Sequence, residues 1–164
     1  MNTNDDIRHA RRSSPRLTNF DYSQEGYYFI TTCTWNQQQR FGTITDGVMN
    51  LSPIGEIVAR EWLAIPSYET HVHLDAWVVM PNHVHGIISI HSVENERSHG
   101  LSTIVSGFKG RATRQVNQML RPQGISLWQR SFYDHVIRTD ADLDRIREYI
   151  ANNPARWMDD RFHS

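Results

Sequence analysis

The sequence predicts an α+β fold: a largely antiparallel central sheet with helices packed mainly on one face. Three observations predict it. Residues 71–79 and 83–91, rich in apolar and β-branched residues, flank the turn signal Pro81-Asn82 and read as a hairpin. The run Gly26-Tyr27-Tyr28-Phe29-Ile30-Thr31-Thr32-Cys33-Thr34-Trp35, aromatic and β-branched, reads as a long first strand. Apolar residues also recur at helical spacing in three further segments, each closed by a proline. The resulting order, β-β-α-β-β-α-β-α, suits an α+β sandwich.

In chain order, residues 1–19 are polar and carry Arg8, Arg11, Arg12 and Arg16 without periodicity. They read as a flexible arm ahead of a single domain over 20–164. After the first strand, Gly47-Val48-Met49-Asn50-Leu51 predicts a short edge strand. Ser52 and Pro53 then supply an N-cap and a proline at the first helical position. Ile54, Ile57, Val58, Trp62 and Ile65 form that helix's stripe, and Pro66 ends it. The hairpin and a polar loop over 92–100 follow. A helix then runs from about Leu101 to Leu120, with Ile104, Val105, Phe108, Ala112 and Val116 facing inward and Pro122 beyond it. Residues 126–129 and 132–137 predict a strand pair or one bent strand. The last helix opens at Thr139-Asp140, carries Asp142 and Asp144 in its first turn, buries Leu143, Ile146 and Ile150, and stops at Pro154.

Composition narrows the function classes. The chain has 164 residues, 38% hydrophobic and 21% charged, the balance of a soluble globular protein. No apolar run reaches the roughly 18 residues of a membrane span, and the N-terminal stretch lacks a signal-peptide core, so a cytoplasmic protein is expected. Cys33 is the only cysteine, which excludes a disulfide framework and a Cys-based zinc site. Net charge is −1, yet 107–138 holds Lys109, Arg111, Arg114, Arg121, Arg130 and Arg138 against one acid, Asp134. Such a local basic surface suits an anionic polymer, and a solvated helix face is the other account. Tyr27, Tyr28, Trp35 and Trp128 either stack unpaired bases or pack in the core, whereas Phe29, Trp62 and Phe108 read as core.

The chemistry centres on Met80-Pro81-Asn82-His83-Val84-His85-Gly86-Ile87-Ile88. Strand alternation puts His83 and His85 on one face and Val84 on the other. Two imidazoles on one face can share a divalent metal, and they can equally be strand histidines bonded to neighbours. His71-Val72-His73 repeats the pattern. With a turn at 80–82, Val79 falls opposite His83, Trp77 opposite His85 and His73 opposite Ser89. His73 is then ~14 Å along the sheet from His85, too far to share a metal. His71 and His73 are therefore assigned to the sheet surface or its edge. Tyr149 and Asn153 lie four apart and share a helix face.

MPNHVHGIISI, FKGRATRQVN, LWQRSFYDHVIR and YIANNP, in that order, resemble the REP-associated tyrosine transposases, members of the single-tyrosine group of the HUH endonuclease superfamily. The resemblance covers about residues 22–157 and includes the first strand, EGYYFITTCTW. It implies a ferredoxin-like (RRM-like) palm, with His83 and His85 as the metal-binding pair and Tyr149 as nucleophile. Asn153 falls where relatives use an amide as third metal ligand, although an Asn before Pro154 also terminates a helix. The cofactor implied is Mg²⁺ or Mn²⁺. The substrate implied is single-stranded or hairpin DNA, cut and rejoined at palindromic repeats through a 5′-phosphotyrosine.

No membrane and no small-molecule substrate is expected. The resemblance implies a monomer, with a helix-exchanging homodimer as the alternative. Contacts to DNA are expected from Tyr27, Tyr28, Lys109, Arg111, Arg114, Trp128, Arg130 and Arg138. Tyr133 is read as structural or DNA-contacting. Two other readings compete: a non-catalytic single-stranded nucleic-acid module of this fold, and a metal-dependent hydrolase. The hydrolase lacks an evident third ligand, since Asp75 lies farther from the pair than Trp77 does.

Overall fold

The computed structural model describes residues 20–94 and 98–163. The N-terminal arm lies outside the described residues. The elements in order are β1 (Gly26–Cys33), a 3₁₀ turn (Trp35–Gln37), β2 (Gly42–Thr45), β3 (Val48–Leu51), α1 (Pro53–Leu63), the short α2 (Ile65–Tyr68), β4 (Val72–Met80), β5 (His83–Ile90), α3 (Leu101–Met119), β6 (Tyr133–Ile137), α4 (Asp140–Asn152) and a 3₁₀ segment (Pro154–Asp159). A four-stranded sheet has the order β4-β5-β1-β6, with every neighbouring pair antiparallel. β1-α1-β4-β5-α3-β6 is thus a ferredoxin-like βαββαβ unit. Two strand expectations are corrected. Val48–Leu51 is no edge of this sheet; it pairs with β2 as a separate ribbon. Residues 126–129 contribute only a single bridge, Thr34 to Trp128.

Local signals set the helix starts. Ser52 Oγ accepts from Gly55 N at 3.1 Å with Pro53 in the first turn, and Thr139 Oγ1 accepts from Asp142 N at 3.1 Å. Strand parity then divides the core. Tyr28, Ile30, Val84 and Ile88 face α1 and α3, with Trp62 and Phe108 among the largest side chains buried there. Phe29 and Ile87 face the opposite way, against Leu143, Ile146 and Ile150 of α4. Two long helices therefore share one face, and the third covers the other. Each such large side chain, fully buried, contributes about 1.5–3 kcal/mol. Gly86 is required here, because a Cβ would come within 2.2 Å of the Trp62 ring.

The hairpin register differs from the expected one near the turn. His73 does pair with Ser89, but Val78 lies opposite His85 and Met80 opposite His83. The cause is a β-bulge between Leu74 and Trp77, which inserts one extra residue into β4. The shift sends Trp77 to the α1/α3 layer and brings Val78 and Met80 to the histidine face.

Candidate active site

His83 and His85 sit at the start of β5 on the face that α4 covers, and neither has any exposed surface. Their rings are 4.4 Å apart, centroid to centroid. Each Nδ1 is held from behind: His83 by Asn82 Oδ1 at 2.8 Å, His85 by Thr31 Oγ1 at 2.7 Å. An amide oxygen only accepts, so the His83 proton belongs on Nδ1 and its Nε2 lone pair is free. The Thr31 hydroxyl can accept in the same way. Asn82 is itself tied down, donating from Nδ2 to Phe162 O at 2.7 Å and to Gln37 O at 3.1 Å. Burial pushes His83 down to about 3, partly opposed by the Asn153 amide, and pushes His85 well below the ordinary histidine value with help from His83. Both rings are neutral at physiological pH, as a metal requires.

Among the described residues, Nε2 of His83, Nε2 of His85 and Oδ1 of Asn153 are buried polar atoms with no hydrogen-bond partner. Leaving such atoms unsatisfied costs about 1–3 kcal/mol each, so a site-specific reason is called for. A divalent cation supplies one, and this donor set of two imidazoles and an amide oxygen fits it. Asp160 joins them: one of its carboxylate oxygens and nitrogens of His83 and His85 lie within 4.8 Å of one another. The sequence offers no evident acidic third ligand by spacing, and the fold supplies Asp160 as a candidate. Burial raises the Asp160 carboxyl above its ordinary value, although it accepts Phe162 N at 2.8 Å. Arg161 lies close enough to disfavour protonation of both histidines, adding positive potential that suits a phosphate.

Tyr149 stands beside this cluster on α4, half-buried, its ring 5.3 Å from His85 and 6.2 Å from Phe29. The C-terminal segment packs on the cluster from another side. The Phe162 ring lies 4.5 Å from His83, and the Trp157 ring 6.1 Å. Tyr133 pairs across β1 with Thr31, which puts it on the same face two strands from His85.

The expected DNA contacts fare unevenly. Tyr28 is fully buried and donates its hydroxyl to Gln24 O at 2.7 Å, so its ring belongs to the core. Trp128 is likewise core, packed on Phe41 and Phe108, with its indole donating to Lys109 O at 3.2 Å. Lys109 points its ammonium at the carbonyls of Gln129, Arg130 and Ser131, and burial lowers it to about 8. Arg111 pairs with Glu61 at 3.4 Å and lies 3.9 Å over the Tyr68 ring. In this structure all four side chains are engaged within the chain, Tyr28 and Trp128 in the core and Lys109 and Arg111 with partly buried partners. Arg114, Arg130 and Arg138 are exposed. Tyr27 is partly exposed but sits four residues from Thr31 along β1, ~14 Å from the histidine end, and Arg138 follows Ile137, its partner across β6.

Sequence reasoning missed Thr31, Asn82, Asp160 and Arg161. Asn82 lay in plain view between Pro81 and His83, read only as a turn residue. Asp160 and Arg161 belong to no periodic segment, so only the chain's return to the sheet brings them in.

Residues 33–153 match the family described as "Transposase IS200 like". An uncharacterised Haemophilus influenzae protein is 34% identical, over 94% of each chain. A second protein of that organism, named "Putative REP-associated tyrosine transposase", is 25% identical, over 83% of this chain and 74% of its own. Among solved structures, a REP-associated tyrosine transposase bound to a REP hairpin shares the fold, with a TM-score of 0.63 and 21% identity, over 85% of this chain and 73% of that one.

Proposed function

The chain belongs to the IS200-like transposase family, and we propose that it cuts and rejoins single-stranded DNA at palindromic-repeat hairpins with the Tyr149 hydroxyl as nucleophile. The observation that carries this reading is the convergence of three unpartnered buried ligand atoms, on His83, His85 and Asn153, beside the Tyr149 ring. Those three residues, with Asp160 in reach, would hold Mg²⁺ or Mn²⁺. When bound, the ion neutralises the non-bridging oxygens of the scissile phosphate.

The chain's own residues do the rest. Asn82 and Thr31 keep the imidazoles in one orientation and one protonation state. The apolar stripe of α4 holds Tyr149 against His85, so attack needs little reorganisation. Tyr149 Oη bonds to phosphorus as its proton leaves, the bond to the 3′ oxygen breaks, and that oxygen takes up a proton as the free 3′-OH. The phosphodiester is kept in the 5′-phosphotyrosine, so a second strand's 3′-OH can reverse the step without ATP. His83 is fully buried with Phe162 and Trp157 packed near its ring, so phosphate entry would move that segment aside, whereas Tyr149 already stands beside His85.

That same packing favours one competing reading, a module that binds single-stranded DNA without chemistry. Incubation with single-stranded DNA from the flanks of the chain's own gene, with Mg²⁺ or Mn²⁺, separates the two. Cleavage with a covalent protein–DNA adduct supports the transposase reading; a bound complex without an adduct supports the module.

A further inference from the structure

Asp75 and Ala76 form the β4 bulge. Its extra residue turns both side chains towards α4. Ala76 packs with the α4 stripe, and the Asp75 carboxylate receives Arg147 bidentately, Nε to Oδ1 at 2.8 Å and Nη2 to Oδ2 at 2.7 Å. Oδ1 also accepts Ala76 N at 2.7 Å, which locks the bulge to its own side chain. Arg147 stands two residues before Tyr149 on α4 and reaches Asp144 at 3.1 Å as well. At the other edge of the sheet, His135 of β6 meets Asp142 of α4 at 2.7 Å. α4 therefore crosses the sheet with a polar contact to each edge strand and its apolar stripe between them.

We infer that the Asp75–Arg147 pair is a positioning device that sets the rotation and height of α4, and so the approach of Tyr149 to His85; this rests on Tyr149 being the nucleophile. Stability alone is a poor account of the pair. The Arg147 side chain is 42% exposed, and solvent screening at that exposure reduces what even a bidentate pair adds to stability. A bidentate contact, in contrast, resists both sliding and twisting. An apolar stripe of Leu and Ile tolerates small rotations, and a misplacement of about 1 Å at a reacting group can cost on the order of 10²-fold in rate.

The test uses the full chain with Asp75→Asn, Arg147→Gln and Arg147→Lys, the last keeping the charge without the fork. Three quantities are read: single-turnover cleavage at saturating single-stranded DNA with Mn²⁺, DNA affinity, and the nuclear Overhauser contact between the Tyr149 and His85 rings in metal-free protein. The expected result is a rate loss of about 10- to 100-fold in all three variants, unchanged affinity and a weakened ring contact. An unchanged rate with an intact ring contact overturns the inference. So does weaker DNA binding with an unchanged rate at saturation, which would make Arg147 a phosphate contact. If Tyr149→Phe still forms the adduct, the nucleophile reading fails on its own. The ring contact in metal-free protein then still reports whether the pair sets α4.

Discussion

Tyr149→Phe removes one oxygen and leaves the ring against His85 and Phe29. The fold and DNA binding should survive, and cleavage and the phosphotyrosine adduct should vanish. Mass spectrometry of a trapped adduct checks this directly, since a nucleotide on Tyr133 or Tyr27 would contradict the assignment. His83→Ala or His85→Ala removes one of three converging donors. Either should abolish cleavage and weaken Mn²⁺ binding, read by electron paramagnetic resonance independently of any reaction. The other histidine pair behaves differently from the surface role expected for both its members. His73 is exposed, but His71 is buried, with Nε2 against His99 O at 2.9 Å. His71→Ala should cost about 1–3 kcal/mol in chemical denaturation and leave cleavage intact, whereas His73→Ala should change neither.

At the scale of elements, α3 and α4 carry separate predictions. The basic residues of α3 suit a phosphate-tracking helix by sequence, but Lys109 is bonded to the Gln129 carbonyl and Arg111 is paired with Glu61. Arg114 is the exposed one of the three. Arg114→Ala should therefore reduce the slope of log K against log salt by up to ~0.7, with Lys109→Met and Arg111→Met acting on thermal stability instead. For α4, Arg147 holds the Asp75 carboxyl below its ordinary value of 3.8, chiefly by hydrogen bonding. A carboxylate depressed in the folded state adds stability above its unfolded value, and that stability is lost as pH falls through the lower folded value. Asp75→Asn should consequently lower the neutral plateau of a melting-temperature profile and flatten its acid limb, the difference from the parent shrinking as pH falls below about 4.

For the whole molecule, one chain supplies everything in the candidate site. β5 brings the histidines, α4 brings Tyr149 and its C-cap Asn153, and the C-terminal segment brings Asp160 and Phe162. α4 packs on the same chain's β4 and β6 through the contacts of Arg147 and Asp142. A mixture of His83→Ala and Tyr149→Phe proteins should then remain inactive on single-stranded DNA. Recovered cleavage in the mixture would mean that helices are exchanged between two copies.

Much of this was legible in the sequence, for reasons of period. A strand repeats every two residues, so His83 and His85 had to share a face; a helix repeats every 3.6, so Tyr149 and Asn153 had to stack. Ser52-Pro53 and Thr139-Asp140 marked helix starts because capping is a local contact. Parity, however, says which residues share a face and nothing about what covers it. Only the packed fold decided that Tyr28 and Trp128 lie inside, that Lys109 and Arg111 are committed to carbonyls and to Glu61, and that α4 takes the face opposite α1 and α3. The bulge at Asp75-Ala76 moved the register by one residue because Trp77 and Asp75 find partners in different layers. Asp160 and Thr31 meet the histidines across 77 and 54 positions of sequence, and contacts between distant parts of a chain follow from how its layers stack, which no local period encodes.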